Sequence, residues 1–92
     1  MILLVDRDPA VVRLAGDLDM MAAPAMRLRL TVAFGQSDNV VVDLARVRFM
    51  DSAGLGVIAQ FVRDGQRLSV RSPASSVRRV LETCGLGDLI ID

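Results

Sequence analysis

The chain contains no histidine, no lysine, no tyrosine and no tryptophan, and only one cysteine, Cys84. Most side chains that do general acid or base work near neutral pH are therefore missing. Without lysine there is no Schiff-base chemistry. A metal site would have to rest on carboxylates. A serine nucleophile needs an adjacent base to activate it, and this composition supplies none, so the sequence reads as a protein that is not an enzyme, with no catalytic residues, no metal and no cofactor. One cysteine cannot close an internal disulfide. No apolar run approaches the length of about eighteen residues that a membrane span needs. The N-terminus, MILLVDRDP, meets an acid at position 6 and lacks a signal-peptide pattern. The expectation is a cytoplasmic protein without membrane insertion.

What is present is a compact set of apolar segments. The chain has 92 residues, of which 52% are hydrophobic, enough for a single domain over residues 1–92 with one core. Eleven arginines balance eleven acids, giving a formal charge of zero. Arg46, Arg48, Arg78 and Arg79 form no basic stripe and read as solvated surface, so nucleic-acid binding has no electrostatic footing.

Along the chain, Ile2 to Val5 reads as a short strand, Asp6 to Pro9 as a turn, and Ala10 to Ala15 as a second strand that Gly16-Asp17-Leu18-Asp19 leaves. Ala22 to Phe34 reads as a helix, with Pro24 in its first turn and Met26, Leu30, Ala33 and Phe34 on one face. Val40 to Leu44 is a β-branched run suited to a strand buried on both faces. Ala45 to Asp51 reads as a loop. Ser52 to Arg63 reads as a second helix with an inward stripe of Leu55, Ile58, Ala59 and Val62, closed by Gly65. Arg67 to Arg71 reads as a strand. Ser72-Pro73 reads as an N-cap with proline at the next position, opening a third helix whose apolar face is Val77, Val80, Leu81 and Cys84. Gly85 and Leu86 have the pattern of a helix C-terminus, and Asp88 to Ile91 that of a last short strand or an apolar tail. The order is β-β-α-β-α-β-α. It implies an α/β fold with a four-stranded, mostly parallel mixed sheet, a possible short fifth strand and about three helices. Binding sites in such sheets lie at the C-terminal strand ends, where Asp17-Asp19 and Asp51-Ser52 fall.

FMDSAGLG, residues 49 to 56, is the stretch that needs explaining. Three readings compete. Ser52 is a helix N-cap, with Asp51 adding a favourable charge. Or the glycines cradle a phosphate, although no glycine-rich fingerprint and no lysine complete such a motif. Or Ser52 accepts a phosphate, which a helix N-terminus tolerates and a partner's surface does not. Gly54 and Gly56 each cost helix propensity, roughly 1 kcal/mol, so a close approach by a neighbouring element or a partner must offset them. Met20, Met21 and Met50 bracket this site as flexible side chains suited to an adaptable surface, or as core filling. Leu55 and Val57 are weighed between partner and core in the same way. Cys84 reads as a buried small hydrophobe.

VVVDLxxVxFMDSAGLGV, Val40 to Val57, resembles the signature of STAS domains, and among them the bacterial anti-sigma factor antagonists. Gly16 to Asp19, GDLD, and Ser72 to Leu86 resemble the family's flanking motifs. The resemblance implies a STAS fold. It implies that the unphosphorylated form binds an anti-sigma factor that is also an ATPase-fold serine kinase, that this frees a sigma factor, that phosphorylation of Ser52 ends the binding, and that a PP2C-type phosphatase resets the switch. The partner-binding set it implies is Asp17, Asp19, Met20, Met21, Met50, Asp51, Ala53, Gly54, Leu55 and Gly56. Ala53 stands where many relatives carry a second hydroxyl. A monomeric, stand-alone domain is expected. The rival is a STAS adaptor subunit of an ABC-type phospholipid transport system that needs no phosphorylation; a nucleotide- or lipid-binding STAS protein is a third, smaller alternative.

Overall fold

The computed structural model describes residues 2–3 and 9–91. The order is β1 (Ile2–Leu3), β2 (Ala10–Leu18), α1 (Ala23–Phe34), β3 (Asn39–Met50), α2 (Ser52–Arg63), β4 (Arg67–Arg71) and α3 (Ser75–Thr83), followed by a short 3-10 turn at Gly87–Leu89. Leu4 to Asp8 of the expected first strand and turn lie outside the described residues. The sheet runs β1-β2-β3-β4. It is four-stranded and mixed: β2, β3 and β4 run parallel, and the two-residue β1 is added antiparallel to β2. The expected fifth strand is a single parallel bridge between Val70 and Ile90.

The two central strands run further than their apolar cores. β3 was expected to end at Leu44 and continues to Met50, and β2 was expected to release the chain at Gly16 and continues to Leu18. The cause is two register shifts in their pairing, between Arg13 and Ala15 and between Gly16 and Asp17. Bulges break the two-residue alternation that marks a strand. Leu44, Val47 and Met50, three residues apart, all reach the core, and a three-residue spacing reads as loop.

One apolar cluster joins Ala10, Val12, Leu14, Val40, Val42, Leu44, Leu68 and Val70 to Met26 and Leu30 of α1, Val57 and Ile58 of α2, and Val77 and Leu81 of α3. All three helices thus cover the same sheet face. Phe34 and Phe61 stack with ring centroids 5.5 Å apart, and the Arg27 Nε donates to Gln60 across α1 and α2. Residues of the other parity, Arg13, Asp43 and Arg71, stand in register across β2, β3 and β4. The Asp43 carboxylate accepts from Arg71 at 2.9 Å and from the Ala45 amide at 2.9 Å, with Arg13 at 3.9 Å. Burial pushes the Asp43 carboxyl up, but the Ala45 and Arg71 hydrogen bonds and the two arginine charges outweigh it and hold it below its usual range.

Three helix expectations need correction. The inward face of α2 is Gly54, Val57 and Ile58, while Leu55 and Val62 are half-buried at the edge of the cluster. Val57 is therefore core. The third helix begins at Ser75 with Ala74 as its N-cap. Ser72 has φ +56° and Pro73 is buried, so this dipeptide forms a tight entry bend that anchors the chain before the helix. Cys84 is exposed, because it is the C-cap, one residue past the last helical turn. There Gly85, at φ +80°, and Leu86 send their amides back to Glu82 and Leu81 in a Schellman turn. Gly65 and Gln66 close α2 in the same way on Val62 and Phe61.

Candidate functional site

The parallel strands β2 and β3 end side by side, Leu18 paired with Met50. Two acids follow directly: Asp19 after β2 and Asp51 after β3. The Asp51 amide donates to the Leu18 carbonyl at 3.2 Å, which fixes the two chain exits to each other.

Asp51, not Ser52, is the N-cap of α2. Its backbone is extended, and its Oδ1 accepts from the Ala53 amide at 2.8 Å and from the Gly54 amide at 3.3 Å. A carboxylate cap satisfies the orphan amides and opposes the positive helix end. This overturns the reading of Ser52 as the cap. Ser52 is the first helical residue, exposed, and its hydroxyl makes no hydrogen bond among the described residues. The hydroxyl is thus left without a structural task, beside a fixed negative charge.

The two glycines divide the roles expected of them. Gly54 is buried: a Cβ there would lie 2.9 Å from the Leu18 Cβ and 3.1 Å from its carbonyl carbon. It is a packing glycine that lets α2 start directly against β2. Gly56 is exposed, and a Cβ there would meet nothing within 4 Å.

On the β2 side, the loop after Leu18 is held by Asp19, whose Oδ1 accepts from the Ala22 amide at 3.0 Å and whose carbonyl accepts from Ala22 and Ala23. Asp19 is half-buried and sets the entry to α1. Between these bonds Met20 and Met21 project into solvent, 74% and 87% exposed. Asp17, also exposed, pairs with Phe49 on β3, which is 51% exposed. Phe49 falls in the stretch that reads from the sequence as a loop; once β3 is extended, its outward parity is plain. Met50 is corrected in the opposite sense: 3% exposed, it is core and cannot touch a partner. Gly54 is likewise too buried for contact. The remaining surface at these strand ends is a shelf of Met20, Met21 and Phe49 beside Asp17, Ser52 and Gly56. Among the described residues, no helix is long and apolar enough to cross a membrane.

Comparison with known proteins puts this arrangement in context. A family profile described as "Mlab, STAS domain" matches residues 4–91. The anti-sigma F factor antagonist of Lysinibacillus sphaericus is 30% identical over 95 residues, covering 97% of this chain and 81% of that protein. The solved structure of the anti-sigma factor antagonist SpoIIAA in its unphosphorylated form superposes with a TM-score of 0.85 at 28% identity, covering 100% of this chain and 85% of that one. The phosphorylated form of SpoIIAA, a Bacillus cell fate determinant, gives 0.77 at 28% identity, covering 100% and 88%.

Proposed function

This chain belongs to the STAS domain family, and from that premise we propose that it is an anti-sigma factor antagonist working as a single cytoplasmic domain. Its unphosphorylated form binds an anti-sigma factor that is also an ATPase-fold serine kinase, and so releases a sigma factor. Phosphorylation of Ser52 ends that binding, and a PP2C-type phosphatase restores it. The observation that carries the reading is Ser52 itself: an exposed hydroxyl with no hydrogen bond among the described residues, at the first position of a helix whose cap is supplied by its neighbour.

The electrostatics fit a switch that acts on the partner rather than on the fold. Asp51 already holds the Ala53 and Gly54 amides, so a phosphate on Ser52 gains little from them and points outward. It adds about −1.5 to −2 charge. A partner carboxylate about 6 Å away, at an effective dielectric of about 20, meets roughly 3 kcal/mol of repulsion per unit of that charge before salt screening. That is on the order of 150-fold in Kd. Met20, Met21, Phe49 and Leu55 supply the apolar part of the contact, with Asp17, Asp19, Ala53 and Gly56 around it. Relatives named anti-sigma factor antagonists, and the two forms of SpoIIAA, support the same reading.

The test pairs wild type with Ser52→Asp as baits in lysate of the native host, followed by incubation of the purified captured kinase with ATP. We expect a kinase retained by wild type and lost with Ser52→Asp, and phosphate mapped to Ser52 and absent from Ser52→Ala. If both baits hold the same transporter subunits, the protein is the adaptor of a phospholipid transport system instead.

A further inference from the structure

We propose that a groove between α1 and the bulged strands β2 and β3 binds a small organic phosphate: a phosphomonoester head, with a short apolar tail, held between Arg29 and Arg46. The groove encloses about 530 Å³ and is lined by Arg13, Leu14, Ala15, Arg29, Ala45 and Arg46, with Asp43 at its side. This is within the size range of ligand pockets. It exists because of the first register shift. The Ala45 amide turns to the Asp43 carboxylate, and the side chains at the opening, Ala15 and Ala45, are too small to fill it.

The charge in the groove is not balanced. Three guanidinium groups reach it from three different elements. Asp43 is the one acid in its lining, and it is occupied by Arg71 at 2.9 Å, with Arg13 more distant at 3.9 Å. Arg29 and Arg46 make no hydrogen bond or ion pair among the described residues. The chain as a whole is neutral, so the positive excess here is local. A planar guanidinium fork matches a phosphate in two hydrogen bonds, and two forks from opposite walls match a dianion. The groove also continues into a second hollow of about 210 Å³ that shares Leu14, Ala15 and Arg29 and runs on between Leu18, Ala22 and Met26. The side chains that line that hollow are apolar apart from Arg29, which is why the ligand has an apolar part and a bare phosphate is the poorer fit. Arg46 stands six positions before Ser52, roughly 20 Å at strand rise, so the phosphate end of the groove is set back from Ser52, while the second hollow runs toward the strand ends at Leu18 and Ala22.

The probes are hexyl phosphate and inorganic phosphate, titrated into the 15N-labelled full chain at low salt and followed by amide shifts. We expect saturable shifts for hexyl phosphate at Ala15, Ala45 and the Arg29 turn, with a Kd on the order of 1 mM or tighter, and weaker binding of inorganic phosphate. Arg29→Gln and Arg46→Gln should each weaken hexyl phosphate roughly tenfold or more, while Arg63→Gln, on the exposed end of α2, leaves it unchanged. Melting temperatures of all three variants check that the fold is intact. Flotation with phosphatidylcholine vesicles carrying phosphatidic acid identifies the source: flotation lost in Arg29→Gln means that the phosphomonoester is a lipid headgroup, and its absence alongside hexyl phosphate binding means a soluble ligand. Shifts confined to the start of α2, or hexyl phosphate binding equal in wild type and the Arg29→Gln/Arg46→Gln double variant, would overturn the proposal, as would no saturable shift with hexyl phosphate together with no flotation.

Discussion

Replacing Gly54 by alanine puts one methyl group where β2 already is. The new Cβ would stand 2.9 Å from the Leu18 Cβ, 3.1 Å from the Leu18 carbonyl carbon, and closer still to its carbonyl oxygen. That oxygen also accepts the Asp51 amide, so it cannot move away without breaking the bond that joins the two strand exits. On propensity alone, glycine to alanine inside a helix gains about 1 kcal/mol. Overpacking against fixed backbone costs about 1–3 kcal/mol or more. The clash wins, and Gly54→Ala should be destabilising by about 1–2 kcal/mol. Gly56→Ala is the control: the same chemical change, two residues along the same helix, with nothing within 4 Å. It should be stabilising by about 0.5–1 kcal/mol. In a domain of this size about 1 kcal/mol moves Tm by roughly 4–8 °C, so the two variants should melt on opposite sides of wild type. Urea midpoints by circular dichroism give the same order if the slopes are unchanged. Two variants that move in the same direction would refute the account of α2 resting on the Leu18 carbonyl. Trimming the Leu18 side chain should not rescue Gly54→Ala, because the obstacle is backbone.

Further outcomes follow from the same geometry. Asp51→Ala should cost about 0.5–2 kcal/mol by freeing the Ala53 and Gly54 amides, and Asp51→Asn much less, read as Tm; equal losses would mean that charge matters more than capping. Asp43 has a folded pKa below its unfolded value of about 3.9, so the stability it contributes is fully present above that pH and is lost as pH falls through the folded value. Asp43→Asn should therefore flatten the acid limb of urea midpoints measured from neutral pH downward, and an unchanged limb would show that the arginines do not hold the carboxylate. Met20→Ala and Met21→Ala should leave the unfolding free energy within about 0.5 kcal/mol of wild type, since both are exposed, and should weaken capture of the partner kinase; unaltered capture would move the interface elsewhere.

The helices were legible in the sequence because their signals are local. Ser52 to Arg63 is a helix with those bounds, and Gly65 and Gly85 close helices at positive φ. The order of strands and helices was legible for the same reason. What stayed hidden depended on contacts between distant residues. Nothing in ALARVRFM says that β3 continues, because two bulges scramble its alternation, and so Phe49 was missed and Met50 was misplaced on the surface. Asp and Ser are both good caps, and the choice between Asp51 and Ser52 turned on the strand exit geometry at Leu18. The cost of two glycines was visible in the sequence, but only the approach of β2 shows that one is structural and the other is not. Arg46 reads from the sequence as a solvated charge and Arg29 carries no signal there, since their convergence depends on α1 lying over the bulge.

The two register shifts also give the strand pair an arithmetic of its own. Before the first shift the even-numbered residues of β3, Val40 to Leu44, face the helices. After it the inward residue is the odd-numbered Val47, and after the second it is the even-numbered Met50. Each shift inverts the parity, and the second restores it before the chain reaches Asp51. Each shift takes up one extra residue of β3 and leaves the pairing beyond it intact, so Met50 still meets Leu18 on the core side. A residue lost at either shift therefore straightens that shift alone and leaves the start of α2 in place, whereas a residue lost beyond the second shift, between Phe49 and Asp51, turns the start of α2 away from its side of the sheet.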